Sequence, residues 1–386
     1  MPAKRRIAAV LQIDHHYARA VTLGIRKYLR GHPTWVCETL EPLASPDWSW
    51  IGEGRWDGVV GYVVAPELLR TLAQIGLPAV TFSNSTDPAI PVPRVVSDDL
   101  EVGRLAARHL LDRGLRAFAY FGSRSNPGSS LRRQGFREMV AAAGSSLVHI
   151  EPTFGLQPGR SQWVGVRGLA DLVSKAPGPV GVFCHNDHYA RMVIHFCALQ
   201  GLVVPDQVAV VGVDNSEVAE GLAEIPITSV VLRCERIGFE AMALLARLMD
   251  GETAPGEPVL IAPERVVVRA SSDLVAVDDP LVARALELAR ELAFRPVGIE
   301  DLLARLPFSR RVLEKRFRAA LGRSPYSEIL RLREEHAKQM LAETQLSVAE
   351  IAEACGFTHP KQLFRLFATR TGMTPATYRK RFSPPR

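Results

Sequence analysis

Two short stretches near the end of the chain place cations along one face of a helix. Arg311, Glu314, Lys315 and Arg318 fall at i, i+3, i+4 and i+7, opposite an apolar stripe of Leu313, Phe317, Ala320 and Leu321. Further on, Lys361 and Arg365 flank Phe364, with Leu363, Leu366 and Phe367 on the other side. Guanidinium and ammonium groups set out in this way can neutralise phosphates and reach base edges in a major groove. A carboxylate can accept from cytosine, and an aromatic edge can meet a thymine methyl.

Each basic stretch follows a second helical pattern across a sharp break. Ile299, Leu302, Leu303 and Leu306 line one face before Pro307, Phe308 and Ser309, and Ser309 is placed to cap the helix Arg310–Leu321. Ser347 and Glu350 have the spacing of a capping box ahead of Val348, Ile351, Ala352 and Cys355. Gly356 and Phe357 then break the chain before Pro360–Thr371. A helix, a turn and a second helix with a basic outer face form a helix-turn-helix unit, which makes double-stranded DNA the expected partner. Leu313 and Phe317 recur as Leu363 and Phe367, so the unit occurs twice. Residues 324–341 read as one long helix between the copies. Such a spacer could hold the reading helices about 34 Å apart, one turn of B-DNA.

Charge follows the same division. Of 47 basic and 41 acidic side chains, 20 and 11 lie from Pro280 onward, a local balance of +9; the remaining 27 and 30 give −3. A basic end joined to a near-neutral remainder points to a polyanion partner for that end alone. A chain of 386 residues fits two or three domains, and 47% hydrophobic with 23% charged residues indicates a soluble globular protein. No apolar run is long enough to span a membrane, and the opening segment reads as a first strand, not a signal peptide. The five cysteines, an odd number, lack metal or redox spacing and are expected as buried thiols of a cytoplasmic protein.

The N-terminal part alternates strands and helices. Strands are expected at 7–13, 58–64, 79–82, 117–122, 180–184 and 208–213. Helices are expected at 17–29, 67–75, 100–113, 131–143, 190–199 and 235–250. This is an α/β pattern of parallel sheets covered by helices, and its length suits two sheets better than one. Ligands in such sheets bind beyond the strand C-terminal ends. The polar stretch 270–280 is placed as the junction between an α/β domain at 1–275 and an all-α domain at 276–386.

These residues match known families. LEKRF at 313–317 with GRSP at 322–325 resembles the AraC-type DNA-binding domain. So do LSVAEIAEACGF at 346–357, LFRLF at 363–367 and GMTP at 372–375 with Tyr378 and Arg379. By position, the resemblance implies base contacts from Arg311, Glu314 and Lys315 in the first reading helix and from Lys361, Phe364 and Arg365 in the second. Pro360 stands where that family often has a polar reading residue, and Glu334 where it often has an apolar one. VSDD at 96–99, GRLAARHL at 103–110, RRQGF at 132–136, FCHND at 183–187 and VAVVGVDN at 208–215 resemble the periplasmic-binding-protein-like sensor of LacI-type regulators. The implied fold is a two-lobed sensor followed by a double helix-turn-helix reader. The sensor family's ligand contacts fall on Arg132, Asn186 and Asp214.

The chemistry of those positions suits a sugar, which needs planar forks and carboxylates for adjacent hydroxyls. Asp14 follows the first strand, Arg132 lies early in a helix, Asn186 and Asp187 follow a strand and Asp214 ends another. All five are candidate effector residues. Asp14-His15-His16 lacks the further carboxylate–histidine set of a metal phosphoesterase, and His185 with His188 reads better as a solvated or core pair than as metal ligands. Walker A, G-x-S-x-G, H-E-x-x-H and strand-linked G-x-G-x-x-G motifs are absent from the sequence. No catalytic residue, metal site or cofactor is therefore expected. The expectation is an effector-controlled activator, with a pentose such as xylose as effector, RNA polymerase as a further partner and a homodimer formed through the sensor. A purine effector, or an enzyme fused to a reader, is the alternative.

Overall fold

The computed structural model describes residues 4–11, 16–40, 48, 51, 56–63, 66–84, 89–152, 154–157, 160–163, 167–274, 277, 279–296 and 298–382. The chain divides into two compact units, Met1–Leu274 and Val275–Arg386.

The first unit has two lobes. In one, the parallel strands run in the order Trp35–Leu40, Arg5–Val10, Gly58–Gly61 and Ala79–Thr81. In the other, the order is Arg265–Val267, Thr228–Val231, Val208–Val213, Val180–Cys184, Ala117–Phe121 and Leu147–Ile150, with only the first strand antiparallel. Central strands such as Val208–Val213 are buried along their whole length, because helices cover both faces of a parallel sheet. Val95–Ser97 pairs with Val259–Ile261 where the chain passes between the lobes.

One device fixes the main helix pair in each lobe. Helices Asp99–Leu111 and Pro127–Ala142 cross at Gly103 and Gly135, where any Cβ would overlap the partner's backbone. His16–Arg30 and Cys234–Met249 cross in the same way at Gly24 and Gly238. The first of these crossings brings the start of one helix, Asp99, against Arg132 of the other.

The division between Leu274 and Val275 lies inside the stretch 270–280, and the start of that stretch belongs to the first unit, where Ser271 and Ser272 are fully buried. Ser271 Oγ donates to the Val210 carbonyl at 2.6 Å and accepts from the Thr228 amide at 2.8 Å; Ser272 Oγ donates to Thr228 Oγ1 at 2.8 Å. These serines read as polar linker because their hydroxyls are satisfied only by distant parts of the sequence.

The second unit is helical and holds two separate cores. One gathers Leu281–Ala293 side chains with Ile299, Leu302, Leu306, Leu313, Phe317, Ile329 and Leu332. The other gathers Ala337, Leu341, Ile351, Cys355, Phe357, Leu363, Leu366 and Phe367. The long helix Pro325–Glu343 supplies residues to both. Each reading helix, Arg310–Leu321 and Pro360–Thr371, ends on a left-handed glycine, Gly322 (φ 69°) or Gly372 (φ 68°). The capping box is present: Ser347 Oγ accepts from the Glu350 amide, and Glu350 Oε2 accepts from the Ser347 amide at 2.7 Å. Two expectations fail locally. Ser309 holds the cap position of its helix but makes no side-chain cap bond, and Ala320 is exposed. Glu334 is only 5% exposed, yet it pairs with Lys338 at 2.8 Å and Arg370 at 3.1 Å, which satisfies a carboxylate at an apolar position.

Candidate functional site

A cleft between the lobes is lined by Tyr17, Tyr62, Asn84 and Ser97 on one side. Asp99, Asn126, Gly128, Arg132, His185, Asn186 and Asp214 line the other. Arg132 lies early in its helix and is 7% exposed. Its Nε donates to Asp99 Oδ1 at 2.8 Å and its Nη1 to the His185 carbonyl at 2.5 Å. Burial opposes its charge, but Asp99 and Asp214 outweigh that and hold the guanidinium pKa above its ordinary value. Asn84 closes the cleft from the other lobe: its Nδ2 donates to Asp99 Oδ2 at 2.7 Å, and its carbonyl accepts from the Gly128 amide at 3.0 Å. Tyr17, Tyr62 and Phe82 form an aromatic cluster, with Tyr17 and Tyr62 ring centroids 5.8 Å apart. The Tyr17 hydroxyl donates to the Phe82 carbonyl.

Asn126 and Asn186 each cap a helix, accepting from the amides of Ser129 at 2.9 Å and Tyr189 at 3.0 Å. Both also line the cleft. The cap bond thus fixes each amide at the cleft wall. Asp214 (φ 98°) and Asn215 (φ 53°) adopt left-handed backbone conformations. For a non-glycine residue this costs on the order of 1–3 kcal/mol and is common at ligand sites. The free space in the cleft is about 50 Å³, well below the roughly 150 Å³ cavity that accommodates a benzene ring. In this arrangement the lobes stand close together across Asn84.

Arg132, Asn186 and Asp214 come together as expected. Asp187 does not reach the cleft wall. It is 3% exposed, with Oδ1 accepting from Ser229 Oγ and Oδ2 from the Ser216 amide, both at 2.7 Å. Burial, and then Asp214, push its pKa well above the carboxylate range. The residue acts as a strut beneath the loop that carries Asp214. Asp14 lies outside the described residues.

On the second unit, Arg310, Arg311, Glu314, Lys315 and Arg318 line a shallow depression on the first reading helix. Arg310 Nε donates to Glu314 Oε1 at 2.9 Å, and Arg318 lies 4.0 Å from Glu314 Oε2, so Glu314 is held between two cations. Arg311, Lys315, Lys361 and Arg365 are exposed, and among the described residues none forms an ion pair. Phe364 is 42% exposed beside Lys361 and Arg365. Four exposed cations without ion pairs among the described residues, on two helices with separate cores, form a surface suited to a polyanion.

Comparison with known proteins agrees with both halves. A periplasmic binding protein-like domain matches residues 107–272 and a helix-turn-helix domain matches 302–381. The xylose operon regulatory protein of Escherichia coli (strain K12) is 27% identical over 97% of this chain and 97% of that protein. That of Haemophilus influenzae is 26% identical over 97% and 98%. A solved structure of a xylose-binding transcription activator superposes with a TM-score of 0.70 at 27% identity, over 99% of this chain and 100% of that one. The chain joins a periplasmic binding protein-like domain to a helix-turn-helix domain. It is homologous along its length to DNA-binding transcription regulators.

Sequence reasoning missed most of the sensor's cleft wall. Asn126 was within reach, since it precedes Pro127 just after a strand, the same signal that singled out Asn186. Asp99 lies in a quoted motif but was not assigned a contact. Tyr17, Tyr62 and Asn84 carry no local signal, because only the approach of the lobes brings them to the site.

Proposed function

We propose that the chain is a cytoplasmic, effector-controlled activator of sugar-catabolism genes, that its effector is a pentose such as xylose, and that it is not an enzyme. Residues 1–275 sense and residues 276–386 read DNA. Arg132, Asn186 and Asp214 contact the effector. Arg311, Glu314 and Lys315 contact bases in one major groove, and Lys361, Phe364 and Arg365 do so in the next. The observation that carries the reading is the meeting of Arg132, Asn186 and Asp214 with Asn84, Asn126 and a tyrosine wall in one interlobe cleft. Charged forks and amides beside an aromatic surface suit a polyhydroxylated ring. The names of the full-length relatives support xylose in particular.

Binding would shift the population between open and closed lobes, and control follows from the effector's differential affinity for the two. A bonded path leads from the cleft toward the end of the sensor. Next to Asp214, Asn215 Oδ1 accepts from Arg269 Nη2 at 2.8 Å. Arg269 immediately precedes the turn Ala270–Ser272, whose two serines are buried, and the unit ends at Leu274. The active form is a homodimer that contacts RNA polymerase.

A thermal-shift screen of D-xylose, other pentoses, hexoses and purines on the full chain tests the reading. A bound effector raises the melting temperature with concentration. A pentose is expected to do so, and the shift disappears in Asp214→Ala. Stabilisation by purines alone would replace the sugar with a base, and sugar turnover by the chain would reinstate an enzyme.

A further inference from the structure

The two helix-turn-helix units have separate cores, so something must fix their relative angle beyond the shared helix Pro325–Glu343. Arg333 lies in that helix between Leu332 of the first core and Ala337 of the second, and is 4% exposed. Its Nε donates to the Ala293 carbonyl at 2.7 Å and its Nη2 to the Arg295 carbonyl at 2.8 Å. Ala293 caps the helix Pro280–Leu292 and belongs to the first core. Carbonyls at a helix C-terminus lack helical partners and carry partial negative charge, which suits a guanidinium. The same guanidinium lies over the Phe357 ring, 5.3 Å from its centroid, and Phe357 belongs to the second core. One side chain thus grips both units.

The neighbouring geometry repeats this bridge. Gly356 (φ 76°) forms the turn of the second unit. A Cβ there would stand 2.6 Å from the Arg295 carbonyl oxygen, 2.8 Å from the Phe294 carbonyl carbon and 2.9 Å from the Ala293 carbonyl oxygen. The second turn is therefore seated directly on the end of the first unit's leading helix, where only glycine fits. Phe294 also packs against His336, with ring centroids 4.5 Å apart and the rings tilted by 41°.

We infer that Arg333 is a positioning residue for DNA recognition: by joining the end of Pro280–Leu292 to Phe357 it fixes the two reading helices relative to each other and so sets the spacing of the two half-sites the protein accepts. The inference rests on the reading of both helices as DNA-reading elements. One base pair of added spacing moves the next half-site by about 3.4 Å and turns it by about 34°. A locked reader cannot follow that displacement, whereas a reader hinged at the linker can.

The test is in-vitro selection from a random duplex library with the full chain, comparing wild type, Arg333→Met and Arg333→Lys, with helix content checked by circular dichroism. Wild type is expected to select two sequence blocks at one spacing. Arg333→Met is expected to select the same blocks over several spacings, and Arg333→Lys, which keeps the charge but not the fork, an intermediate spread. In competition, the preference for the selected spacing over a one-base-pair insertion should fall at least tenfold from wild type to Arg333→Met. A single unchanged spacing in Arg333→Met overturns the inference. So does loss of one block, which would make Arg333 a support for one unit's fold. Selection of one block or none by wild type would instead sink the two-helix reading, and the lock with it.

Discussion

The interlobe cleft and the reading helices both present polar side chains, but on opposite physical terms. In the cleft, Asp99 accepts from both Arg132 and Asn84, and Arg132 and Asp99 are buried. On the reading helices, Arg311, Lys315, Lys361 and Arg365 stand in solvent and, among the described residues, without ion pairs. A group that recognises a small neutral ligand has to be held in place before the ligand comes, so its partners belong to the fold. A group that recognises a polyanion can stay solvated, because releasing the nucleic acid's counterions supplies much of the affinity. Substitutions in the cleft should therefore disturb stability and ligand binding together, and those on the reader should disturb DNA binding alone.

The sharpest way to break that contrast is Arg132→Met. It leaves Asp99 buried with its ion-pair partner gone, and removal of one partner of a buried pair costs about 3–5 kcal/mol. Urea unfolding should show a loss of that order in the sensor; a stability within about 0.5 kcal/mol of wild type, the ordinary effect of a surface change, would contradict it. Asp214→Ala, which leaves the Arg132–Asp99 pair in place, should weaken effector binding by about 1.5–3 kcal/mol in calorimetry, as expected for hydrogen bonds to a charged group, and leave basal DNA binding intact. Unaltered sugar affinity would move the pocket elsewhere.

On the reader, Arg311→Ala and Arg365→Ala should each lower specific DNA affinity by about 1–3 kcal/mol in gel-shift titrations, with effector affinity and melting temperature unchanged. Wild-type operator binding by both variants would remove these helices from the interface. Salt sharpens the same point: DNA affinity should fall steeply with ionic strength, and effector affinity should stay nearly flat. The smallest effect compares the two copies. Ser347→Ala breaks a capping box and should cost about 1 kcal/mol, whereas Ser309→Ala, at a cap without a side-chain bond, should cost almost nothing.

The reader was largely legible because its periodicity is local. Leu313 and Phe317, and Leu363 and Phe367, mark buried faces at helical spacing, and the capping box is written in Ser347 and Glu350. What misled there was a serine in the cap position without a cap bond, and the exposed Ala320. The sensor's central strands, Val180–Cys184 and Val208–Val213, were legible as apolar runs. Thr228–Val231 was not, since its buried Thr228 and Ser229 look polar in sequence and are satisfied by Ser271, Arg269 and Asp187 from elsewhere in the chain. Edge strand Trp35–Leu40 was also missed, because its half-exposed pattern carries Glu38 and Thr39. The cleft shows the same limit. Asn186 and Asp214 follow strands and Arg132 lies in the helix Pro127–Ala142 of the same lobe, but Asn84 and the tyrosines come from the other lobe. Four of the five thiols are buried as expected, whereas Cys37 is half-buried; burial pushes the Cys37 pKa up to about 11 and those of Cys197 and Cys355 up to about 12, so they should resist alkylation in the native protein at neutral pH.

The most direct test of control by the cleft is a footprint of the full chain on a duplex bearing its selected two-block site, with and without D-xylose, for wild type and Asp214→Ala. Each bound protomer is expected to protect two segments about one helical turn apart, with occupancy that changes on adding the sugar in wild type and stays fixed in Asp214→Ala. Protection of a single segment, or a wild-type footprint indifferent to D-xylose and to every other pentose, would contradict the account.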